Sequence, residues 1–482
     1  MRLAKAVAFS SIAIYLYQLA SLAYTVYLAR TFSPYLLGIF GIASAVTLLT
    51  GEFRALGTGE YLVREKNIDK NTVKNSIGIS LSISILIFCL LAISAGAISR
   101  FYDERLIGEL ILIFSFSLLV SPFNSINSAL LTRELKFHKV ILLDWSNFLV
   151  GISTSVFLIF MELGIYAIAI GPVVGSYVQF LLTTIFRSPF MEFVPRIKNA
   201  SDQIKFGGFS SSASILERLN IHSIDLIVGK MDGVRSAALM SKAVSTAELI
   251  FHIILAGSKE VALPFISKTN YKELAENYIH ATLIANYLSV SVLTSCIFFG
   301  DNLVLFMFGE KWREAAELVP FVSLWVIFRN FHPFQRALFI SIGRERMYLK
   351  NQALGLASTT IAIILGLWFG DLQFMVLCLS FSGFAYFIFT TFQVFSVQNL
   401  SQSFTKYLIK NLRLMLVVFL VALISWGVDS IILKFIDSSF LELLVFGSIL
   451  IISWLILMIA LNTELYREVL KLTIDKKIKV IK

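Results

Sequence analysis

Charged residues are scarce in this chain. Asp, Glu, Lys and Arg make up 15% of 482 residues, where a soluble domain carries roughly 25%. Apolar residues reach 57% and mean hydropathy is +0.80, which excludes a water-soluble globule over the whole length. The three cysteines, Cys89, Cys296 and Cys378, fall in separate apolar runs with no CxxC or Cys/His spacing. Neither a disulfide framework nor a metal site is expected, and no cofactor. Nucleotide motifs are missing too, so an ATP-driven pump would need a second chain. Long loops are lacking: the longest expected connections run about 15–20 residues, too short for a catalytic domain.

What is present is a series of continuous apolar runs without period-two alternation, which indicates helices and not a barrel. A bilayer core about 30 Å thick needs about 20 apolar residues per span. On that measure about fourteen spans are expected, at 7–28, 36–56, 75–98, 107–131, 140–161, 164–186, 206–228, 236–263, 279–300, 318–342, 352–370, 372–394, 411–434 and 440–461. The fold class is therefore all-α and polytopic. The first run could pass for a signal peptide, but it is too long for one, and Arg30 follows without a clear cleavage site.

Lys and Arg sort by loop. With a cytoplasmic N-terminus, about 28 fall in inner loops and the tail and about 8 in outer loops. Both termini are then expected on the cytoplasmic side. The net charge of +10 reads as a topology signal, and no nucleic-acid partner is expected. The basic tail (Lys471, Lys476, Lys477, Lys479, Lys482) either lies along anionic headgroups or is a solvated end.

A weak repeat links LARTFSPYLLGIFGIASAV from Leu28 with IVGKMDGVRSAALMSKAVS from Ile227. In both, a helix ends in a short polar turn and a helix rich in small residues begins. Basic loops after spans 4 (Arg133 to Lys139) and 10 (Arg344 to Lys350) repeat likewise. Six spans per half keep one orientation, so the repeat axis would run along the membrane normal. The expected division is 1–190, 191–400, two additional spans in 401–462, and a basic tail at 463–482.

Four segments carry a family resemblance. LARTFSPYLLGIF resembles the first outer loop of Wzx-type polysaccharide flippases. LLTRELKFHKV looks like their fourth inner-loop pattern. FGGFSSSASILERLNIHSIDLIVGKMDG is similar to their seventh span and the turn after it. MFGEKWREAAELVPF resembles their motif before span 10. The matches occur in order, up to about residue 345. The chain departs at Lys230, where Arg is usual, and at Ala237-Ala238, where Gly is common. The resemblance extends to the superfamily that also holds MATE antiporters and lipid II flippases. It implies two six-helix bundles around a central cavity, two extra C-terminal helices and alternating access. It further implies a bacterial cytoplasmic-membrane transporter, not an enzyme, that moves undecaprenyl-diphosphate-linked oligosaccharide for O-antigen, capsule or exopolysaccharide synthesis. Polymerase and chain-length proteins of the same pathway would be partners, along with the bilayer itself.

Ionisable side chains within spans cost about 2.5–3.5 kcal/mol or more at mid-bilayer, so each should face a cavity or a partner. Arg218, His222 and Asp225 share one helical face by spacing. Glu248 and His252 share another. Arg329, His332 and Arg336 are i, i+3, i+7, with Pro333 permitting a kink. Converging on a cavity, these faces would form a cationic belt, with Arg218, Arg329 and Arg336 as ligands for a diphosphate. His222, Asp225, Glu248 and His252 are candidates for ion coupling. The structural alternative has Arg218–Glu248 and Asp225–Lys242 as pairs locking helices together. The first half offers a softer polar face: Tyr17, Ser21 and Tyr24 on span 1, Asn124 and Asn127 on span 4, Asp144 and Asn147 on span 5. These would either contact sugars or serve as helix–helix polar contacts. Glu52 and Arg54 sit where side chains can snorkel.

Two other functions compete. A lipid II flippase or a MATE-like antiporter shares the architecture, although drug cations would want carboxylates. A membrane polymerase or glycosyltransferase would want a large outer loop or an acidic pair in the first outer loop. Here that loop, Arg30 to Pro34, holds no carboxylate.

Overall fold

The computed structural model describes residues 2–55, 57–65, 68–197, 201–268, 274–401, 403–431, 448–449, 452–456 and 459. The tail at 463–482 and most of the fourteenth expected span lie outside these residues. All regular structure among the described residues is helical. The chain divides into two compact units, 1–238 and 239–482.

Unit 1 holds α1 (Arg2–Thr31), α2 (Pro34–Ala55), α3 (Thr58–Arg64), α4 (Lys70–Tyr102), α5 (Arg105–Ser115), α6 (Ser117–Arg133), α7 (Phe137–Phe160), α8 (Tyr166–Ile185), α9 (Ser201–Met231) and the start of α10 (Val234–Lys268). Unit 2 holds the rest of α10, α11 (Leu274–Phe308), a 3₁₀ turn at Glu310–Trp312, α12 (Arg313–Arg329), α13 (Gln335–Ser341), α14 (Glu345–Phe369), α15 (Leu372–Phe395), α16 (Gln398–Ser401) and α17 (Phe404–Ile431). Seven of the described helices are long and apolar enough to cross a membrane, and nine spans result if each of two bent pairs counts as one. The all-α polytopic class is as expected. The expected count of about fourteen is not reached among the described residues.

Three expected spans are bent or broken, span 9 by 64° between Thr294 and Cys296. Span 4 bends by 41° between α5 and α6. The Ser115 and Ser117 hydroxyls donate back to the Leu112 and Phe114 carbonyls, a competition that bends helices. Pro122 removes the donor for the Leu118 carbonyl, and the Ser121 hydroxyl supplies one at 3.1 Å. Span 10 breaks completely: α12 ends at Arg329 and α13 starts at Gln335. Pro333 has no N–H to offer the Arg329 carbonyl, so the ladder stops there.

Close approach in unit 1 rests on small residues. A Cβ on Gly171 would lie 2.4 Å from the Gly151 carbonyl oxygen, and one on Gly175 would lie 2.3 Å from that of Asn147. The α7–α8 hairpin therefore packs backbone to backbone, as membrane helices do through small side chains. The start of α10 meets α2 the same way, since a Cβ on Gly38 would fall 1.8 Å from the Val234 oxygen.

Arg133 ends α6 and ties down α3. Its Nη1 donates to the carbonyls of Leu62 (3.0 Å), Val63 (3.3 Å) and Glu65. A charged donor on the last carbonyls of a helix satisfies groups that no intrahelical N–H can reach. Arg133→Gln is expected to lower the thermal midpoint of the purified protein by several degrees, the effect of losing about 1.5–3 kcal/mol of charged hydrogen bonding. An unchanged midpoint would show that α3 is held by its apolar face alone.

Candidate functional site

Unit 1 contains a cavity of about 600 Å³ between α1, α7 and α8. Tyr17, Tyr24, Asp144, Trp145, Asn147 and Phe148 are among its lining residues. Its lining runs over 12 residues of α1 (Ala13 to Tyr24) and 15 of α7 (Ile141 to Ser155), about 16 Å and 21 Å at 1.5 Å per residue step. The aromatic wall is a packed cluster. The Tyr17 ring lies 4.3 Å from Phe148 and meets Trp145 edge-on at 6.0 Å. The polar wall is a hydrogen-bonded chain: Asn147 Nδ2 donates to Gln179 Oε1 at 3.1 Å, and Gln179 Nε2 donates to Asp144 Oδ1 at 3.1 Å. Each amide fixes the orientation of the next. Tyr17 and Asp144 are both exposed to the cavity space.

The structure thus brings Tyr17 and Tyr24 together with the span 5 pair, Asp144 and Asn147. Asn124 and Asn127 are not among the lining residues. Asn124 Nδ2 donates to the Ser176 carbonyl at 3.0 Å, and Asn127 Oδ1 accepts from the Ser188 N–H at 3.0 Å. Both are buried and act as polar contacts between helices. Trp145, Phe148 and Gln179 were missed in the sequence. The signal was available on α7, where the i, i+3 pair Trp145–Phe148 lies one residue beyond the i, i+3 pair Asp144–Asn147.

The charged residues find partners that differ from those expected. Arg218 Nε lies 3.2 Å from Glu52 Oε1, within unit 1. Glu248 Oε1 lies 3.7 Å from Arg329 Nη1, within unit 2, with both side chains mostly buried. The expected Arg218–Glu248 pair is corrected accordingly. The Arg329 guanidinium also lies 4.8 Å from the Trp325 ring. On α9, His222 Nδ1 stands 3.8 Å from Asp225. The side chain of His252 lies outside the described residues. The helix break at Pro333 overturns the expected single face: Arg329 ends α12, His332 sits in the turn, and exposed Arg336 is the second residue of α13. His332 is buried, with Nε2 2.9 Å from the Thr391 hydroxyl and Nδ1 3.3 Å from the Tyr278 hydroxyl.

The recurring motif segments hold helix ends and crossings. Lys230, the departure from Arg, donates to the Phe101 carbonyl at 2.5 Å and lies 3.7 Å from Asp103 at the end of α4. Trp312 is fully buried beside Phe308, and Lys242 lies over both rings at 5.6 and 5.2 Å.

Known proteins resemble the chain as follows. It is 21% identical over 278 residues to the teichuronic acid biosynthesis protein TuaB of Bacillus subtilis, covering 57% of this chain and 58% of that one. It is 21% identical over 304 residues to the lipopolysaccharide biosynthesis protein WzxC of Escherichia coli, covering 62% and 61%. The chain thus matches about three fifths of the length of these curated relatives. Among solved structures, an inward-facing multidrug resistance MATE family transporter of the MOP superfamily superposes with a TM-score of 0.62 at 16% identity, covering 77% of this chain and 92% of the other. A MOP superfamily transporter from Pyrococcus furiosus gives 0.51 at 15%, covering 84% and 94%. These likenesses show a MATE-like fold. The family described as "Polysaccharide biosynthesis protein" matches residues 27–317, more than half of the sequence, and the chain belongs to that family.

Proposed function

We propose that this protein is a flippase that moves undecaprenyl-diphosphate-linked oligosaccharide repeat units across the bacterial cytoplasmic membrane by alternating access. The observation that carries the reading is the family match over residues 27–317 on a chain with a MATE-like fold. The moving bodies are the halves 1–190 and 191–400, and both termini face the cytoplasm, as the Lys/Arg distribution favours. Arg218, Arg329 and Arg336 take the diphosphate. Guanidinium groups offer fixed bidentate donors and stay charged at physiological pH. Glu52 and Glu248 hold Arg218 and Arg329 until the substrate's phosphates displace them. His222, Asp225, Glu248 and His252 couple transport to an ion gradient. An unchanged flipping rate in proteoliposomes without any proton or sodium gradient would remove that coupling. The glycan is then handed to polymerase and chain-length proteins on the outer face.

The test of the whole reading is gene deletion with measurement of surface glycan and of the lipid-linked intermediate. Surface glycan should fall to background while the lipid-linked repeat unit accumulates on the cytoplasmic side. Unchanged surface glycan in the deletion strain would refute it. Reporter fusions check the topology: alkaline phosphatase should be active when fused at Asp371 and inactive at Lys410. The reverse pattern would invert the chain in the membrane.

A further inference from the structure

The 600 Å³ cavity of unit 1 plays no part in the diphosphate contacts, and its chemistry is of a different kind. We infer that the cavity between α1, α7 and α8 is a binding subsite for the neutral sugar residues of the head group, with Tyr17, Trp145 and Phe148 as the stacking wall and Asp144 and Asn147 as the hydrogen-bonding wall. The inference rests on the flippase reading for its physiological ligand.

Three observations point to sugar. First, aromatic rings and hydrogen-bonding side chains line one and the same cavity. A pyranose has the matching two-sided surface, with apolar C–H faces and a rim of hydroxyls. Aromatic side chains offer large apolar faces at little entropic cost. Second, the polar wall is mixed in sign. A sugar hydroxyl is both donor and acceptor, so it needs acceptors and donors side by side. The relay through Gln179 fixes Asp144 Oδ1 and the Asn147 amide nitrogen within the protein. Among the described residues no hydrogen bond is made by Asp144 Oδ2, which remains an acceptor for a ligand. Third, the volume falls within the range of small-molecule sites, about 300–1,000 Å³, and the length of about 16–21 Å suits a short chain of sugar rings. An organic cation would also accept an aromatic wall and a carboxylate, but it would make no use of the Asn147–Gln179 relay.

The experiment uses the purified full-length protein in nanodiscs. The probe is the neutral repeat-unit oligosaccharide released from the host's own surface polysaccharide, with no lipid or phosphate attached. Saturation-transfer difference NMR reads its binding. Wild type should give a transfer signal concentrated on ring protons, and Asp144→Asn and Trp145→Ala should each lower it by at least about fivefold, the effect of losing one good contact. Trp145→Phe keeps an aromatic face and should retain most of the signal, which guards against misfolding of the alanine variant. Absence of signal with wild type, or equal signals in wild type and Asp144→Asn, overturns the inference. Tetraphenylphosphonium binding that depends on Asp144, with no oligosaccharide signal, overturns it in favour of a cation site. Surface glycan is followed in the same strains. Loss of export on gene deletion with no oligosaccharide signal sinks the subsite alone, whereas normal export after deletion sinks the flippase reading itself.

Discussion

Replacing Arg329 by Gln is expected to cut surface glycan at least about tenfold at normal protein abundance, and removing Glu248 as well should not restore it. The second half of that statement makes the test sharp. Arg329 and Glu248 lie 3.7 Å apart with less than a fifth of either side chain exposed. If the pair only locks α10 to α12, the single variant fails because it strands a carboxylate. Breaking a buried pair from one side costs about 3–5 kcal/mol, whereas removing both partners is often nearly neutral. A locking role therefore predicts that Arg329→Gln, Glu248→Gln regains export and stability together. A diphosphate-binding role predicts that the double variant regains stability but exports less than Glu248→Gln alone, because the guanidinium that replaces the phosphates' water is still missing. Arg329→Lys should keep part of the activity, since it preserves the charge but not the fork or the stacking on Trp325. Full export by the double variant would assign Arg329 to structure. The same cycle applied to Arg218 and Glu52 should give a smaller structural effect, because the Arg218 side chain is 54% exposed and exposed pairs contribute little.

The helical class and most span positions were legible in the sequence because hydropathy over about 20 residues reports a one-dimensional property. Breaks inside spans were less so. Pro333 was visible as a kink site, but its completeness depends on where the Arg329 carbonyl and the turn residues find partners, which spacing along an assumed continuous helix conceals. The bend at Phe116 has no proline at its centre and depends on serine hydroxyls competing for backbone carbonyls. Charge pairing was least legible of all. Glu52 read as a snorkelling side chain, yet it meets Arg218 from 166 positions away, and only the packing of α2 against α9 brings them together. The cavity was half legible. Tyr17, Tyr24, Asp144 and Asn147 stood out as polar groups in apolar runs, whereas Trp145 and Phe148 disappear in a chain with 43 Phe and 6 Trp. Asn124 and Asn127 had the same appearance and a different fate, because the neighbouring Ser176 and Ser188 backbone groups claimed their amides.

Gly175→Ala is expected to abolish most of the monodisperse protein, although it adds a single methyl group. Alanine is ordinarily favoured over glycine in a helix by about 1 kcal/mol, so propensity alone predicts a gain. Packing predicts the opposite and wins. The added carbon would lie 2.3 Å from the Asn147 carbonyl oxygen and 2.5 Å from its side-chain oxygen. The backbone oxygen cannot rotate away, so α7 and α8 must separate. Overpacking a tight contact costs about 1–3 kcal/mol, and here it also pulls Asn147 away from Gln179, its hydrogen-bond partner at 3.1 Å. Gly96 in α4 is the matched control, because a Cβ there would meet nothing within 4 Å. Gly96→Ala should therefore hold or raise the thermal midpoint. Fluorescence-detected size exclusion followed by thermal melting reads both variants. If Gly175→Ala behaved like Gly96→Ala, the backbone contact would be wrong and the cavity wall that depends on Asn147 would lose its support. Where the midpoint is only partly lowered, the defect should appear first in the cavity, because Asn147 is both the residue that the new methyl strikes and the donor that orients the polar wall.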